Sequence, residues 1–382
     1  MIFRILEDQF AQKAREAKDA DLRFMQLALS LGRRGQGRTW PNPAVGAVIV
    51  KDGVIVGRGW TQPGGRPHGE PEALLRAGEA ACGATLYVTL EPCSHFGKSP
   101  PCADAVIAAG IKRVVAAIED PNPEVAGQGH ARLRAAGIVV DVGPCAAEAA
   151  FDHAGHFRRI RDKRPHVILK LAVSPDGKIG AAGGKPVAIT GEAVRNRVHL
   201  LRAQSDAILV GIGTVLADDP LLTCRLPGMA ARSPVRVVLD QSLRIPGASK
   251  LVRTARETPL WVVSSELAEA AAAMRLGAAG AQMLRVPPVG ASGLDLAAVL
   301  HALAEKGITR LLVEGGSRVA ASFVAADLVD EIWLFRGTEE VGAGGVDALD
   351  ALPLSKITQS QAYKVHASET FDRDTLTVYE RS

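Results

Sequence analysis

HGEPEALLRAGEAACGATLYVTLEPCSHFGKSPPC, residues 68–102, is the stretch from which the rest of the chain is best read. It sets one imidazole (His68), one carboxylate (Glu70) and two thiols (Cys93 and Cys102) beside expected helix starts. One nitrogen and two sulfurs suit a borderline-soft metal such as zinc and leave a fourth position for water, as in a reactive centre rather than a closed structural one. His68 and Glu70 stand two apart at the head of the helical run EPEALLRAGEAA; Cys93 and Cys102 stand nine apart around a proline-rich turn that ends in the apolar helix ADAVIAAG. Ligands so widely spaced do not form a local knuckle. The spacing predicts two helix N-termini brought together, where free N–H groups and helix dipoles favour thiolate over thiol.

Glu70 is too near His68 to be needed as a further ligand, so it is free to take a proton from water and pass it to a departing amine. An H-x-E followed by P-C and a second cysteine is the logic of zinc-dependent deaminases, here with a longer gap between the thiols.

Upstream, residues 1–20 are expected to form an irregular or helical extension ahead of a helix over DLRFMQLALSLGRR, with Asp21 as its N-cap. WPNPAVG leads into the strand AVIV, which Asp52 and Gly53 turn back into VIVGRG as a hairpin. Asn42 sits between Pro41 and Pro43, which fix where its amide points; it can read a ring or sugar edge, or serve an Asx turn. Downstream, TLYVTL, KRVVAAIED and GIVVDVG read as strands with helices between and after them. The result is an α/β layer structure with its metal at strand ends. The charged run RRIRDKRP, residues 158–165, is the expected boundary to a second domain.

That second domain opens with the strand HVILKLAVS and a turn at Asp176 and Gly177. Thr190 is expected to cap a helix running to Arg202, and AILV to be a buried strand ending in Gly211, Ile212, Gly213 and Thr214. A second glycine turn, Glu314, Gly315, Gly316 and Ser317, joins the strand RLLV to another helix. Such turns bring backbone N–H groups against phosphates, although GIGTVL lacks the full dinucleotide fingerprint and two ordinary strand–helix corners would look the same. PVRVVLD, PLWVVSS, AQMLRVP, DEIWLF and TLTVYE read as further strands, and GTEEVGAGGVDAL as a loop.

A chain of 382 residues suits two domains, and 47% hydrophobic with 23% charged residues makes it globular. The dispersed net charge of +4 and the 4% aromatic content argue against a nucleic-acid groove. An odd number of cysteines, five, of which two are proposed ligands, argues for a reducing cytoplasmic compartment. The N-terminus carries acids early, unlike a signal peptide, and no run approaches the ~18 apolar residues of a membrane span. No nucleic-acid or membrane partner is expected.

TWPNPAVGAVIVKDG, TLEPCSHFGKSPPC and DPNPEVAGQG, with LLRAQSDAILVGIGTVLADDPLLTCRLPG and LLVEGGS, carry a resemblance over nearly the whole chain from about Asp21. The chain resembles the RibD family of bifunctional riboflavin-biosynthesis enzymes, a pyrimidine deaminase fused to a pyrimidine reductase. The resemblance implies an α/β fold, with an N-terminal cytidine-deaminase-like three-layer α/β/α domain followed by a dihydrofolate-reductase-like α/β domain. It divides the chain into an extension at 1–20, a zinc-dependent deaminase at 21–160 and an NADPH-dependent reductase at 165–382. It implies that His68, Cys93 and Cys102 bind zinc and Glu70 shuttles protons, with Asn42, His95, Lys98, Asp120 and Asn122 lining the pocket. His95 and Lys98 could also steer a phosphate. In the second domain it implies Asp218 as the acid near the ribose and Arg202, Leu222, Arg225 and Glu314 on the substrate side. Ser174, Thr190, Gly211, Gly213, Thr214, Gly315, Gly316 and Ser317 then face the cofactor NADPH.

The implied reactions are hydrolytic deamination of 2,5-diamino-6-ribosylamino-4(3H)-pyrimidinone 5′-phosphate and reduction of the product's ribosyl group to ribityl. A small-molecule pyrimidine ribotide is thus the expected partner, and a homo-oligomer, dimer or tetramer, the expected assembly. The chain departs from the family at Pro186 and Ala188, where many relatives have Ser and Trp, at Gly69 in the His-x-Glu motif, and at Glu72. Pro186 and Ala188 make an active deaminase fused to a degenerate reductase the first alternative; a nucleic-acid-binding module is the second. Asp219 beside Asp218 leaves open which of the two acts.

Overall fold

Alternate residues of the strand after the Asn42 loop enter two different cores. Ala47 and Ile49 pack with Leu86, Val88 and Ala103, whereas Val48 and Val50 pack with Met25, Leu29 and Tyr87. A sheet covered on both faces requires this period-two division. The computed structural model describes residues 2–97, 99–123, 125–182, 187–290 and 293–382. Its chain divides into two compact units, Met1–Asp162 and Lys163–Ser382. Lys98 and Pro186, named above, lie outside the described residues.

The first unit holds helix α1 (Ile2–Arg33), strands β1 (Gly46–Lys51) and β2 (Val54–Trp60), α2 (Gly69–Ala77), β3 (Thr85–Val88), α3 (Cys102–Ala108), β4 (Arg113–Ala116), α4 (Gln128–Ala135), β5 (Val139–Val142), α5 (Ala146–Asp152) and α6 (Ala154–Asp162). The sheet order is β2-β1-β3-β4-β5. β1 and β2 form the expected hairpin, with Asp52 (φ 50°) and Gly53 (φ 77°) in the left-handed conformation that a tight hairpin turn demands. The strands from β3 to β5 run parallel. Residues of α1 and α5 cover one face and residues of α2, α3 and α4 the other, giving the three layers expected.

One expectation fails at the N-terminus. Residues 2–33 are a single helix, so Asp21 lies inside it and caps nothing. The reason is local: residues 1–20 contain neither Gly nor Pro, so nothing stops the helix. Asp21 instead accepts hydrogen bonds from Arg113 Nη1 (2.9 Å) and Nη2 (2.8 Å) on β4 and from the Tyr87 hydroxyl (2.8 Å) on β3. Asp21→Ala should therefore cost about 1–2 kcal/mol, because charge-assisted bonds that tie a helix to a sheet are lost. A lower urea midpoint reads this out, and an unchanged midpoint would show the pair to be screened.

The second unit supplies β6 (His166–Val173), β7 (Lys178–Gly180), α7 (Glu192–Ala203), β8 (Ala207–Gly211), α8 (Ile212–Asp218), β9 (Val235–Leu239), β10 (Leu260–Ser265), β11 (Gln282–Val286), the short β12 (Pro288–Val289) and β13 (Gly293–Leu294), β14 (Arg310–Val313), β15 (Glu331–Arg336), β16 (Val346–Asp347), β17 (Tyr363–Phe371) and β18 (Asp374–Arg381). The nine-stranded sheet runs β11-β10-β9-β8-β14-β6-β15-β18-β17, parallel from β11 to β15 and antiparallel over the last two strands. Val194, Val198 and Leu201 of α7 seal one face against Ile168, Leu312 and Trp333.

Two details differ from expectation. Thr190 does not cap α7: the helix begins at Glu192 behind Gly191, whose N–H is held by Asp374 Oδ2 at 2.6 Å. The strand β17 was not anticipated, because YKVHASETF is largely exposed and its alternation of Tyr363, Val365 and Ala367 is broken at Glu369. Within the Gly-rich loop 337–349, β16 pairs with β7. No described helix is long and apolar enough to cross a membrane.

Candidate active site

His68 is the residue before α2, and Cys102 opens α3, so two helix N-termini do meet at the metal-ligating cluster. Cys93 differs from expectation: it stands in an extended loop after β3. Its sulfur accepts the N–H of Cys102 at 3.3 Å, so the dipole of α3 serves a thiolate contributed from outside the helix. His68 Nδ1 lies 3.7 Å from Cys93 Sγ and 3.3 Å from Cys102 Sγ. A tetrahedral zinc with ordinary Zn–N and Zn–S bonds sets such atoms about 3.5 Å apart, so the three residues fit that ion without rearrangement.

The protonation pattern agrees with the donor set. The hydrogen bond from Cys102 pushes the Cys93 thiol down, while the same bond and burial push Cys102 up, so the metal-free pair keeps one proton on Cys102. The hydrogen bond to Cys93 raises His68. Glu70, 3% exposed on the first turn of α2, has an Oε2 with no hydrogen-bond partner, and burial raises its pKa to about 7. A buried carboxylate with an idle oxygen beside three metal donors can hold or release a proton near neutrality.

The surrounding pocket is lined by Glu91, Pro92, Cys93, His95, Asp120 and Val125. His95 is exposed at its rim. Asn42 donates from Nδ2 to Gly65 O at 3.1 Å, which sets the direction of its amide. Burial pushes Asp120 up, but bonds from His156 Nε2 (3.3 Å) and the Asn122 N–H (2.9 Å) hold its carboxyl below the usual range.

Glu91 was missed from sequence. Its carboxylate accepts the N–H groups of Asp120 (3.2 Å), Gly127 (3.0 Å), Gly129 (2.8 Å) and His130 (3.2 Å) and so fastens the 120–130 loop to the strand end that carries Cys93. Glu91, Glu119 and His130 form a second cluster of metal-ligating types, but both Glu91 oxygens are already occupied by these donors. The available signal was an acid embedded in the apolar strand end TLEPC.

In the second unit the two glycine turns meet. β8 and β14 are neighbours. The Gly211 N–H donates to Gly315 O at 3.1 Å, and the Gly316 N–H to Thr214 Oγ1 at 2.9 Å. α8 and the helix Ser317–Ala325 begin at these corners, at the C-terminal ends of parallel strands, where a phosphate is best received. A side chain at Gly211 would sit 2.7 Å from Val319 Cγ2, and Gly315 holds φ +96°, so both glycines are needed for the corner.

Arg202 and Glu314 engage each other: Nε and Nη2 donate to the two carboxylate oxygens at 2.7 and 2.8 Å, and Nη1 donates to Thr223 O at 3.1 Å. Lys170 on β6 was missed. Burial lowers its pKa, with Glu314 opposing and Arg202 adding to the shift. Its sequence signal was a lone cation in the apolar strand HVILKLAVS. Leu222 is buried with φ 55°, and the exposed Arg225 lies against the His199 ring, its N 3.3 Å from Nδ1 and its Nε 3.4 Å from Nε2, of which the neutral ring lets one accept.

Asp218 and Asp219 differ in their surroundings. Asp219 accepts the N–H of Lys250 at 2.8 Å, whereas Asp218 is exposed and makes no hydrogen bond or ion pair among the described residues. The Ser174 hydroxyl is spent on its own turn, donating to Asp176 (2.5 Å) and accepting from the Lys178 N–H (2.9 Å). Thr190 offers its carbonyl to Arg195 at 3.2 Å. Ala188 is exposed.

Comparison with known proteins agrees with this geometry. The family described as the RibD C-terminal domain matches residues 165–377, and the cytidine and deoxycytidylate deaminase zinc-binding region matches residues 18–118. The riboflavin biosynthesis protein RibD of Aquifex aeolicus is 41% identical over 95% of this chain and 99% of its own; that of Escherichia coli is 41% identical over 89% and 94%. Among solved structures, Acinetobacter baumannii RibD superposes with a TM-score of 0.83 at 35% identity, covering 96% of this chain and 100% of its own. The Thermotoga maritima diaminohydroxyphosphoribosylaminopyrimidine deaminase/5-amino-6-(5-phosphoribosylamino)uracil reductase does so with a TM-score of 0.83 at 36% identity and the same coverages.

Proposed function

Because the chain belongs to the RibD family of riboflavin-biosynthesis deaminase–reductases, we propose that its first unit releases ammonia from 2,5-diamino-6-ribosylamino-4(3H)-pyrimidinone 5′-phosphate and its second reduces the product to the ribityl compound. The observation that carries this reading is the triad His68, Cys93 and Cys102 with the idle, buried Glu70 oxygen beside it. His68, Cys93 and Cys102 hold zinc, which when bound acts as a Lewis acid that makes water nucleophilic near pH 7. Glu70 Oε2 takes the proton of the attacking water and returns it to the amine leaving C2. Asn42, His95, Asp120 and Asn122 orient the ring and ribose, and Lys98 is assigned to the phosphate.

In the second unit, Gly211, Gly213, Thr214, Gly315, Gly316 and Ser317 receive NADPH, which supplies a hydride to C1′ of the opened ribose. Asp218, unpaired where Asp219 is engaged, is the acid beside that carbon. Arg202, Glu314 and Lys170 form the charged floor under the substrate, with Leu222 and Arg225 on its phosphate side. Thr190 and Ser174 shape the cofactor side. The domains are taken as 21–160 and 165–382, and the chain as a cytoplasmic homo-oligomer, dimer or tetramer; its five unpaired thiols suit a reducing compartment.

An assay following ammonia release and NADPH oxidation together on the diaminopyrimidinone ribotide tests the reading. Both signals are expected; ammonia alone would favour a degenerate reductase. Chelation of the metal should abolish ammonia release and leave reduction of the deaminated product intact. Zinc added back to the apoprotein must displace thiol protons, so its uptake should acidify an unbuffered solution and tighten as pH rises. Uptake without proton release would exclude Cys102, the thiol that keeps its proton in the metal-free pair, as a ligand.

A further inference from the structure

We propose that Arg66 reads the 5′-phosphate of the substrate at the mouth of the zinc site, making it a specificity-determining residue of the deaminase unit. Arg66 stands two residues before His68, yet its side chain crosses to the loop between Cys93 and Cys102. There Nη1 donates to Ser99 Oγ, and Nη2 lies so close over Gly97 that a Cβ at that glycine would be 3.2 Å away. The guanidinium thus bridges the loop that leads into the first metal-ligating residue and the loop between the other two.

What distinguishes Arg66 among the arginines without an ion pair is its place between the two loops that carry the metal-ligating residues. Arg76, Arg113 and Arg132 of the same unit each contact a carboxylate, Glu72, Asp21 and Asp104 respectively, whereas Arg66 contacts only a neutral hydroxyl and has no ion pair among the described residues. An uncompensated guanidinium is electrostatically incomplete, and its planar fork matches two oxygens of a phosphate better than an ammonium does. His95 stands exposed on the same loop. The proposed substrate is neutral in its ring and ribose, so its phosphate is the one group that completes this charge. The bond to Ser99 holds one arm of the fork in place before substrate arrives, which limits the ordering cost of binding.

The inference rests on the reading that this site deaminates the ribotide. The test uses the full-length zinc-loaded chain with Arg66→Gln, which keeps a donor to Ser99 but loses the charge, and Arg66→Lys, which keeps the charge but loses the fork. Zinc content and the NADPH-dependent step serve as folding controls. Arg66→Gln should raise KM for the ribotide about tenfold or more with kcat within about threefold, the signature of lost binding that substrate and transition state share. Inorganic phosphate should inhibit ammonia release by this variant more weakly in the same proportion, and Arg66→Lys should recover part of both. A merely structural strap predicts the opposite order, with Gln restoring function and Lys failing, and that order or unchanged phosphate inhibition overturns the proposal. If the wild type releases no ammonia from the ribotide, the parent reading fails. Direct phosphate titration of wild type against Arg66→Gln then decides the role of Arg66 alone, equal binding overturning it.

Discussion

Glu70→Gln is expected to lower ammonia release about a thousandfold, within the range ascribed to a positioned general base, while zinc content stays unchanged. The amide has nearly the same shape, so the turn at the head of α2 and the placement of His68 should survive. What disappears is a site that can accept a proton at Oε2, the atom that the fold leaves without a partner. The same variant has a second readout. In the metal-free protein burial raises Glu70 from 4.5 to about 7, so the native state holds a proton that the unfolded state releases at lower pH. Stability of the apoprotein should therefore fall as pH rises from about 4.5 to about 7, and Glu70→Gln should flatten that slope. Unchanged turnover in the variant would end the proton-transfer assignment.

Glu314→Ala should remove NADPH oxidation by at least about a hundredfold and leave ammonia release untouched. The side chains of Arg202 and Glu314 are 14% and 9% exposed, and Lys170 is the next cation. Removing the carboxylate strands two positive groups where water cannot screen them, and breaking one partner out of such a pair costs about 3–5 kcal/mol. Glu314 sits at the corner that also carries Gly315 and Gly316, so the loss should appear as disturbance of both substrate and cofactor sides. Separate assays of the two steps check this. A parallel loss of ammonia release would show that the two units do not act independently, and full NADPH oxidation would remove the pair from the reductase site.

The metal-ligating set was legible because chemistry restricts it: only nitrogen and sulfur donors with an acid beside them make that pattern, and each residue type is visible in the sequence. The hairpin was legible for a similar reason, since Asp52 and Gly53 suit the left-handed backbone a tight turn needs. Lys170 and Glu91 were not legible, because an isolated charge in an apolar strand has no sequence-local partner. Its meaning comes from Glu314, or from the N–H groups of residues 120–130, far along the chain. Asp21 was misread for the same reason: a residue suited to capping a helix can equally pair with an arginine ninety-two positions away.

By itself the sequence determined the local quantities: strand alternation, turn chemistry, the ligand types His68, Cys93 and Cys102, and the acid Glu70 two residues after His68. Only the tertiary structure decided which groups face each other. It set Gly211 against Gly315 and Arg202 against Glu314, separated Asp218 from the engaged Asp219, and carried Arg66 across to Ser99. The physical reason is that propensity and pattern act over a few residues, whereas hydrogen bonds and charges act over a few ångströms, and the fold alone converts one kind of neighbour into the other.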